Sequence, residues 1–178
     1  MSEKRTSKSI WFLDMALRCA HQGTCTIRNY GAVLVNPKTF QIISTGYTGS
    51  PVKTKHCSEL GECWRRKLKV PAGTCYEKCA SVHAEQNALL QAGREAAGTV
   101  LFLAAYDVET GKEIVPLPCF LCTKMLLNAG VRDLSIRRQE TNSWPKLIDI
   151  GHENPRELCT VSVSFLHSRW FQKITMGT

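Results

Sequence analysis

Residues 83–137 read HAEQNALLQAGREAAGTVLFLAAYDVETGKEIVPLPCFLCTKMLLNAGVRDLSIR, and this segment determines the predicted architecture. Its opening, HAEQNALLQA at 83–92, is rich in helix formers and ends before a glycine, a typical helix stop. The uninterrupted apolar run VLFLAA at 100–105 is typical of a strand covered on both faces. A second helix over 119–129 begins after a proline and ends before a glycine. Because an alternating strand follows at 131–137, this order predicts parallel neighbouring strands and an α/β fold.

The flanking sequence extends the same architecture in both directions. Apolar residues at helical spacing predict a helix over 8–21. GAVLV at 31–35 and QIISTGY at 41–47 are separated by a polar turn, and we expect a hairpin there. After the central segment, the pattern is weaker and predicts a helix near 143–150 and a strand at 159–165, with a short closing helix.

We expect a single domain over 1–178, with a cysteine-rich insert at 56–82 and a helix and strand tail at 140–178. The length suits one core, and no linker or repeat divides the chain. Residues 48–82 show no convincing helix or strand, and so long a structureless segment is uncommon in a compact domain. The insert therefore needs some other means of stabilisation.

Composition and charge restrict the class of protein. The chain has no apolar run typical of a signal peptide or a membrane span, so we expect a cytoplasmic protein and no membrane partner. The net charge of +8 favours an anionic partner, although a merely soluble basic surface explains it equally well. Nine cysteines in such a protein favour metal binding over disulfides.

Two short motifs contain the candidate catalytic residues. His83 and Glu85 open one predicted helix, and Cys119 and Cys122 open another. Two cysteines three residues apart face the same way in a first helical turn, where the positive helix end favours their thiolate forms. Three protein ligands leave one tetrahedral position open, which is the arrangement of catalytic rather than structural zinc. We predict zinc at His83, Cys119 and Cys122, with Glu85 outside the metal's ligand set as the proton-transfer group. The alternative is a structural zinc site with Glu85 as an ordinary surface residue.

These motifs together fit the H-x-E…P-C-x-x-C pattern of zinc deaminases, and the chain resembles the deoxycytidylate (dCMP) deaminase family over residues 8–137. YGAVLV at 30–35 and IISTGYTGSP at 42–51 resemble the family's first hairpin and the loop after it. The cysteine-rich run at 56–92 is similar to that of the bacterial-type members.

The resemblance implies a three-layer α/β fold, the cytidine-deaminase-like arrangement, with a mixed five-stranded sheet flanked by helices. It also implies hydrolysis of dCMP to dUMP and ammonia, with Glu85 as proton shuttle. The expected partners are a nucleotide substrate, a possible nucleotide effector and further copies of the chain in a homo-oligomer. In the family, the loop position of Thr48 is usually an asparagine that touches the nucleotide sugar, so the substitution leaves the substrate open.

Two further sets of residues are candidate sites. A second, structural zinc at Cys57, Cys63, Cys75 and Cys79, with His56 as a substitute ligand, would stabilise the insert. The alternative is that these cysteines pack as small apolar residues. The candidate substrate contacts are Thr48, Ala84 and Arg28; Arg28 is favoured over Lys53 and Lys55 for the phosphate.

Three other functions compete with dCMP deamination. A deaminase of the same fold could act on another aminated heterocycle or a modified nucleotide, as Thr48 allows. A zinc-stabilised binding module without activity would have no need of Glu85. Polynucleotide deamination is disfavoured because no stretch combines aromatic and basic residues.

Overall fold

The computed structural model describes residues 6–71, 73–137 and 158–168, and their centre is a mixed sheet. The strands follow the order β2-β1-β3-β5-β6, with the short β4 beside β3. They are β1 (Arg28–Val35), β2 (Ile42–Tyr47), β3 (Val100–Asp107), β4 (Glu113–Ile114), β5 (Asp133–Arg137) and β6 (Leu158–Ser162). β3 and β5 are parallel, as the strand-helix-strand order predicts, and the other pairs are antiparallel.

The helices form a layer on each face of the sheet. They are α1 (Lys8–Ala20), α2 (Cys57–Leu60), α3 (Trp64–Lys67), α4 (Ala84–Ala92) and α5 (Phe120–Asn128), with 3-10 turns at Tyr76–Lys78 and Gly93–Ala96. α1 packs on one face through Phe12, Leu13 and Ala16. α4 and α5 share the core on the other face. The three-layer α/β prediction is confirmed.

Alternation along the central strands separates the two cores. On β1, Ala32 and Leu34 face α4 and α5, whereas Val33 and Val35 face α1. This period of two is the pleat of a strand buried on both sides. Residues of one β1 face therefore point toward the layer that contains α4 and α5.

Two strand glycines allow helices to lie close to the sheet. A Cβ at Gly31 would lie 1.9 Å from the Ala16 carbonyl oxygen of α1. A Cβ at Gly46 would lie 2.2 Å from the Ala84 carbonyl oxygen and 2.5 Å from the Ala88 nitrogen. Because these are backbone atoms, no side-chain rotation could relieve the overlap, and only glycine permits this spacing. Gly46 thus places the start of α4 against β2.

The insert contains more structure than its sequence predicts. Short helices, α2 and α3, and a 3-10 turn interrupt the predicted loop. The longer segment 48–82, which contains the insert, is closed near its ends by a bridge between Gly49 and Val82, with N···O distances of 3.2 and 2.7 Å. This bridge lies directly before His83, so the segment leaves and rejoins the fold beside the candidate site.

The chain after β5 differs from its prediction where it is described. The strand predicted for 159–165 ends at Ser162, and residues 163–168 are helical. The Ser162 hydroxyl accepts a hydrogen bond from the Phe165 N–H at 3.2 Å, which is the contact of a helix N-cap. The helix predicted near 143–150 lies outside the described residues. Within the described ranges, no helix has the length and apolar character needed to cross a membrane.

Candidate metal centre

The three predicted metal ligands meet between the first residues of two helices. His83 is the N-cap residue of α4 and Cys119 is the N-cap residue of α5, with Cys122 in the first turn of α5. The His83 Nδ1 atom lies 3.5 Å from the Cys119 Sγ and 3.4 Å from the Cys122 Sγ. All three ligand atoms lie within 4.8 Å of one another. Among the described residues, no other group of three metal-ligating side chains comes this close.

Local hydrogen bonds fix each ligand. The Cys119 Sγ accepts from the Cys122 N–H at 3.4 Å, as an N-cap side chain does. The Gln86 side chain accepts from the His83 N–H at 3.1 Å, and its amide nitrogen lies 3.5 Å from the Met125 sulfur of α5. Gln86 therefore joins the two helices that supply the ligands.

The electrostatics of the cluster favour anionic sulfur. The hydrogen bond from Cys122 and the neighbouring His83 together lower the pKa of the Cys119 thiol to about 4, against the effect of burial. The same shared hydrogen bond, together with burial and the Glu85 carboxylate, raises the pKa of Cys122. The hydrogen bond with Cys119 raises the pKa of His83. The shared hydrogen bonds thus favour a thiolate at Cys119 beside the His83 imidazole, and a bound cation would favour a second thiolate at Cys122.

The donor set and its spacing fit zinc. One imidazole nitrogen and two thiolates are ligands that zinc prefers. In a tetrahedral zinc site, typical bond lengths place a nitrogen and a sulfur ligand roughly 3.6 Å apart. The 3.4 and 3.5 Å distances match this value. The cluster can therefore hold zinc with one coordination position left open.

Glu85 lies directly beside the cluster, as expected. It is in the first turn of α4 and only 2% exposed. Burial raises the pKa of its carboxyl, whereas His83 and a hydrogen bond with the Cys122 side chain lower it. An ordinary surface glutamate would be solvated, so burial of this carboxyl against the metal ligands disagrees with the surface-residue alternative.

Two tyrosines near the site were not expected from the sequence. The Tyr76 ring lies edge-on to the His83 ring with centroids 5.3 Å apart, and the Arg65 guanidinium lies 5.3 Å from the Tyr76 centroid. Arg65 also donates to the carbonyls of Cys75 and Pro71 at 2.7 and 3.0 Å. No motif marks Tyr76, because it reaches His83 only through the fold of the insert.

The second tyrosine, Tyr30, reaches the site from β1. Burial, the Glu85 carboxylate and Cys119 all raise the pKa of its phenol, and the adjacent Arg28, which hydrogen-bonds to it, lowers that pKa. The phenol therefore shares the electrostatic environment of Glu85 and Cys119.

The expected substrate contacts occupy different environments. The Thr48 hydroxyl, in a residue 7% exposed, accepts from the Tyr30 N–H at 3.1 Å. Ala84 is fully buried against β2. The Arg28 side chain is 58% exposed and 4.0 Å from the Asp107 carboxylate, so it remains open to an anion. Lys53 and Lys55 are exposed. The roles of all five residues in substrate binding stay predictions.

The four cysteines predicted to bind a second zinc do not form one cluster. Cys57 is buried with its Sγ 3.9 Å from the Ser81 hydroxyl, whereas Cys75 is exposed on left-handed backbone (φ 45°). Burial raises the pKa of Cys79, and both Cys57 and Cys25 raise it further. Among the described residues, no three of these cysteines bring their sulfur atoms within 4.8 Å of one another.

Comparison with known proteins agrees with the geometry. Residues 6–137 match the model of the cytidine and deoxycytidylate deaminase zinc-binding region. A deoxycytidylate deaminase of Mycobacterium phage D29 is 31% identical over 127 residues, which cover 68% of this chain and 87% of that protein. A deoxycytidylate deaminase of Schizosaccharomyces pombe is 32% identical over 130 residues, 73% of this chain. The matched part of the chain spans only 37% of the S. pombe protein.

A solved structure shows the same fold. The dCMP deaminase of cyanophage S-TIM5, in its apo form, superimposes with a TM-score of 0.51 at 20% sequence identity. The match covers 78% of this chain and 88% of that one. The family model spans the three predicted metal ligands and Glu85, and the fold brings the three predicted ligands together. The chain therefore belongs to the cytidine and deoxycytidylate deaminase family.

Proposed function

We propose that the chain removes the exocyclic amino group of a deoxycytidine nucleotide by hydrolysis, converting dCMP and water to dUMP and ammonia. The observation that supports it best is the buried Glu85 carboxyl beside the cluster of His83, Cys119 and Cys122. When bound there, zinc supplies activation of water by lowering its pKa toward about 7.

The protein groups account for the proton transfers. The Glu85 carboxylate accepts a proton from water as the water oxygen adds to C4 of the pyrimidine ring. The same carboxyl passes this proton to the ring nitrogen. It then takes the remaining proton of the new C4 hydroxyl and delivers it to the amino group, which leaves as ammonia while C4 becomes a carbonyl. A raised pKa suits a carboxyl that must both accept and donate near neutral pH. Its burial also keeps bulk water away from the exchange.

The proposed substrate is tested with a nucleotide panel. Zinc-loaded protein is assayed for ammonia release with dCMP, CMP, dCTP, deoxycytidine and cytosine. We expect the highest kcat/KM with dCMP, since Arg28 is exposed to bind an anionic phosphate. Absence of dCMP turnover would contradict the proposal. Turnover of a different aminated heterocycle would favour the alternative that Thr48 raises.

The remaining expectations concern partners and location. A homo-oligomer, a nucleotide effector, cytoplasmic location and the structural zinc of the insert stay predictions. Light scattering with and without deoxynucleoside triphosphates measures the first two, and metal analysis measures the last. A polynucleotide substrate would instead give binding to single strands with a steep salt dependence.

A further inference from the structure

The Thr48 hydroxyl is engaged within the sheet. Thr48 and Tyr30 face each other across the β1–β2 pair, where the Thr48 N–H donates to the Tyr30 carbonyl at 3.0 Å. The Thr48 Oγ1 atom accepts from the Tyr30 N–H at 3.1 Å and lies 3.5 Å from the Tyr30 carbonyl oxygen. A hydroxyl has a single O–H donor, and here that donor faces the backbone. A sugar hydroxyl oxygen must therefore find its hydrogen-bond donor elsewhere.

Tyr30 lies where such a partner is needed. Gly31 faces α1, so the neighbouring Tyr30 faces the opposite layer, and its ring packs against the core that includes α4 and α5. Its partner Thr48 is two residues beyond Gly46, the position that touches Ala84 at the start of α4. The Tyr30 side chain thus extends along the β1 edge of the site that Glu85 occupies.

The hydrogen-bonding capacity of Tyr30 is only partly used by Arg28. Arg28 precedes Tyr30 by two residues on β1 and so lies on the same face of the strand. A guanidinium has donors and no acceptor, so toward Arg28 the phenol oxygen can only accept. The phenol O–H proton is then available to a second partner. Burial and the nearby Glu85 raise the pKa of the phenol, which therefore keeps this proton at neutral pH.

We propose that Tyr30 is a specificity-determining residue whose O–H donates to the 3′-hydroxyl of the substrate deoxyribose, while Arg28 faces the phosphate. In a deoxynucleoside 5′-monophosphate, O3′ is the only free hydroxyl of the sugar. This inference rests on the proposed function and identifies the group that recognises the sugar in place of Thr48.

The test removes the Tyr30 hydroxyl from the protein and the 3′-hydroxyl from the substrate, separately and together. Tyr30→Phe keeps the ring in the core and deletes the O–H. With dCMP we expect its KM to rise about five- to ten-fold, with kcat changed less than about two-fold, as for loss of one neutral hydrogen bond used equally in ground and transition states. With 2′,3′-dideoxycytidine 5′-monophosphate, which lacks the 3′-hydroxyl, the variant and the parent chain should have equal KM values.

Tyr47→Phe is the matched control. Tyr47 pairs with Gly31 and so lies on the α1 face of the sheet, away from α4. The Tyr47→Phe variant loses a tyrosine hydroxyl from the adjacent strand and should leave the KM values for both nucleotides unchanged. The thermal midpoint of each variant shows whether it is folded.

The possible results separate the inference from the function on which it depends. Equal KM values for Tyr30→Phe and the parent chain with dCMP would overturn the role of Tyr30. An equal rise with both nucleotides would also overturn it, because the lost contact would then not involve O3′. If the parent chain fails to turn over dCMP, the proposed function fails, and the assignment of Tyr30 fails with it.

Discussion

Glu85 is the residue on which the proposed chemistry depends most directly, and its replacement separates metal binding from proton transfer. Glu85→Gln keeps the size of the side chain and removes its ability to accept a proton. Because Glu85 is not among the three clustered ligands, we expect unchanged zinc content and a fall in kcat of about 10²–10⁴-fold. Elemental analysis and ammonia release measure the two quantities. Glu95→Gln, an exposed carboxyl just after α4, should change neither. Turnover that survives Glu85→Gln would contradict the assigned role.

Thr48 acts at the residue scale as a link between β1 and β2. Thr48→Val leaves the Tyr30 N–H without its side-chain acceptor, so the free energy of unfolding should fall by about 1 kcal/mol. Urea denaturation measures the change as a shift in the midpoint concentration of urea, with the dependence of the unfolding free energy on urea unchanged. Thr48→Ser retains the hydroxyl and should lose less stability. Equal losses for the two variants would show that the hydroxyl does not make this contribution.

At the scale of elements, the contact between β2 and α4 determines where His83 and Glu85 lie. Gly46→Ala places a methyl group 2.2 Å from the Ala84 carbonyl oxygen, so α4 must move away from the sheet. We expect a loss of about 1–3 kcal/mol in stability and weaker zinc binding, measured by competition with a chelator.

Gly31→Ala is the control for this prediction. It creates a comparable overlap with the Ala16 carbonyl oxygen of α1, a helix without metal ligands. Stability should fall, but the zinc affinity of the folded protein should not. If both variants weaken zinc binding equally, the effect comes from general destabilisation and not from the displacement of α4.

For the whole molecule, bound zinc would connect α4 to α5 across the core. A ligand that binds only the folded state at a thousandfold excess over its Kd adds about 4 kcal/mol. Chelation should therefore lower the thermal midpoint by roughly 10 °C in a chain of this size. Without chelator, Cys122→Ala should already have the lower thermal midpoint of the chelated parent chain. It should contain one zinc fewer per chain, and the chelator should change its midpoint little.

Zinc analysis of the same variant also addresses the insert. If the predicted structural zinc exists, Cys122→Ala retains one zinc per chain, and Cys79→Ser loses it. Cys79 is the informative position because it belongs to the predicted ligand set and Cys57, another member, acts on the pKa of its thiol. Cys19→Ser, at a half-buried thiol of α1 outside the predicted set, should not change the zinc content. An unchanged zinc content in Cys79→Ser would contradict the structural zinc.

The metal ligands and Glu85 were predictable from sequence because their chemistry depends on local spacing. The predicted ligands lie at the first residues of two helices that are separated by one buried strand. In most packings of such a unit, the two helix starts lie close together. The helix bounds followed from periodicity and from proline and glycine positions, with a difference of one residue at the start of α4 and at each end of α5. The parallel pairing of β3 and β5 followed from the connecting helix.

Only the tertiary structure determined the surroundings of that site. Tyr30 comes from a strand distant in sequence from Glu85, and Tyr76 reaches the His83 ring only through the folding of the insert. For the same reason, sequence spacing did not reveal that Thr48 bonds to β1. The sequence by itself determined the reactive groups through short-range geometry. Long-range packing decided which side chains face the substrate, because residues meet across a sheet according to register and not according to their separation along the chain.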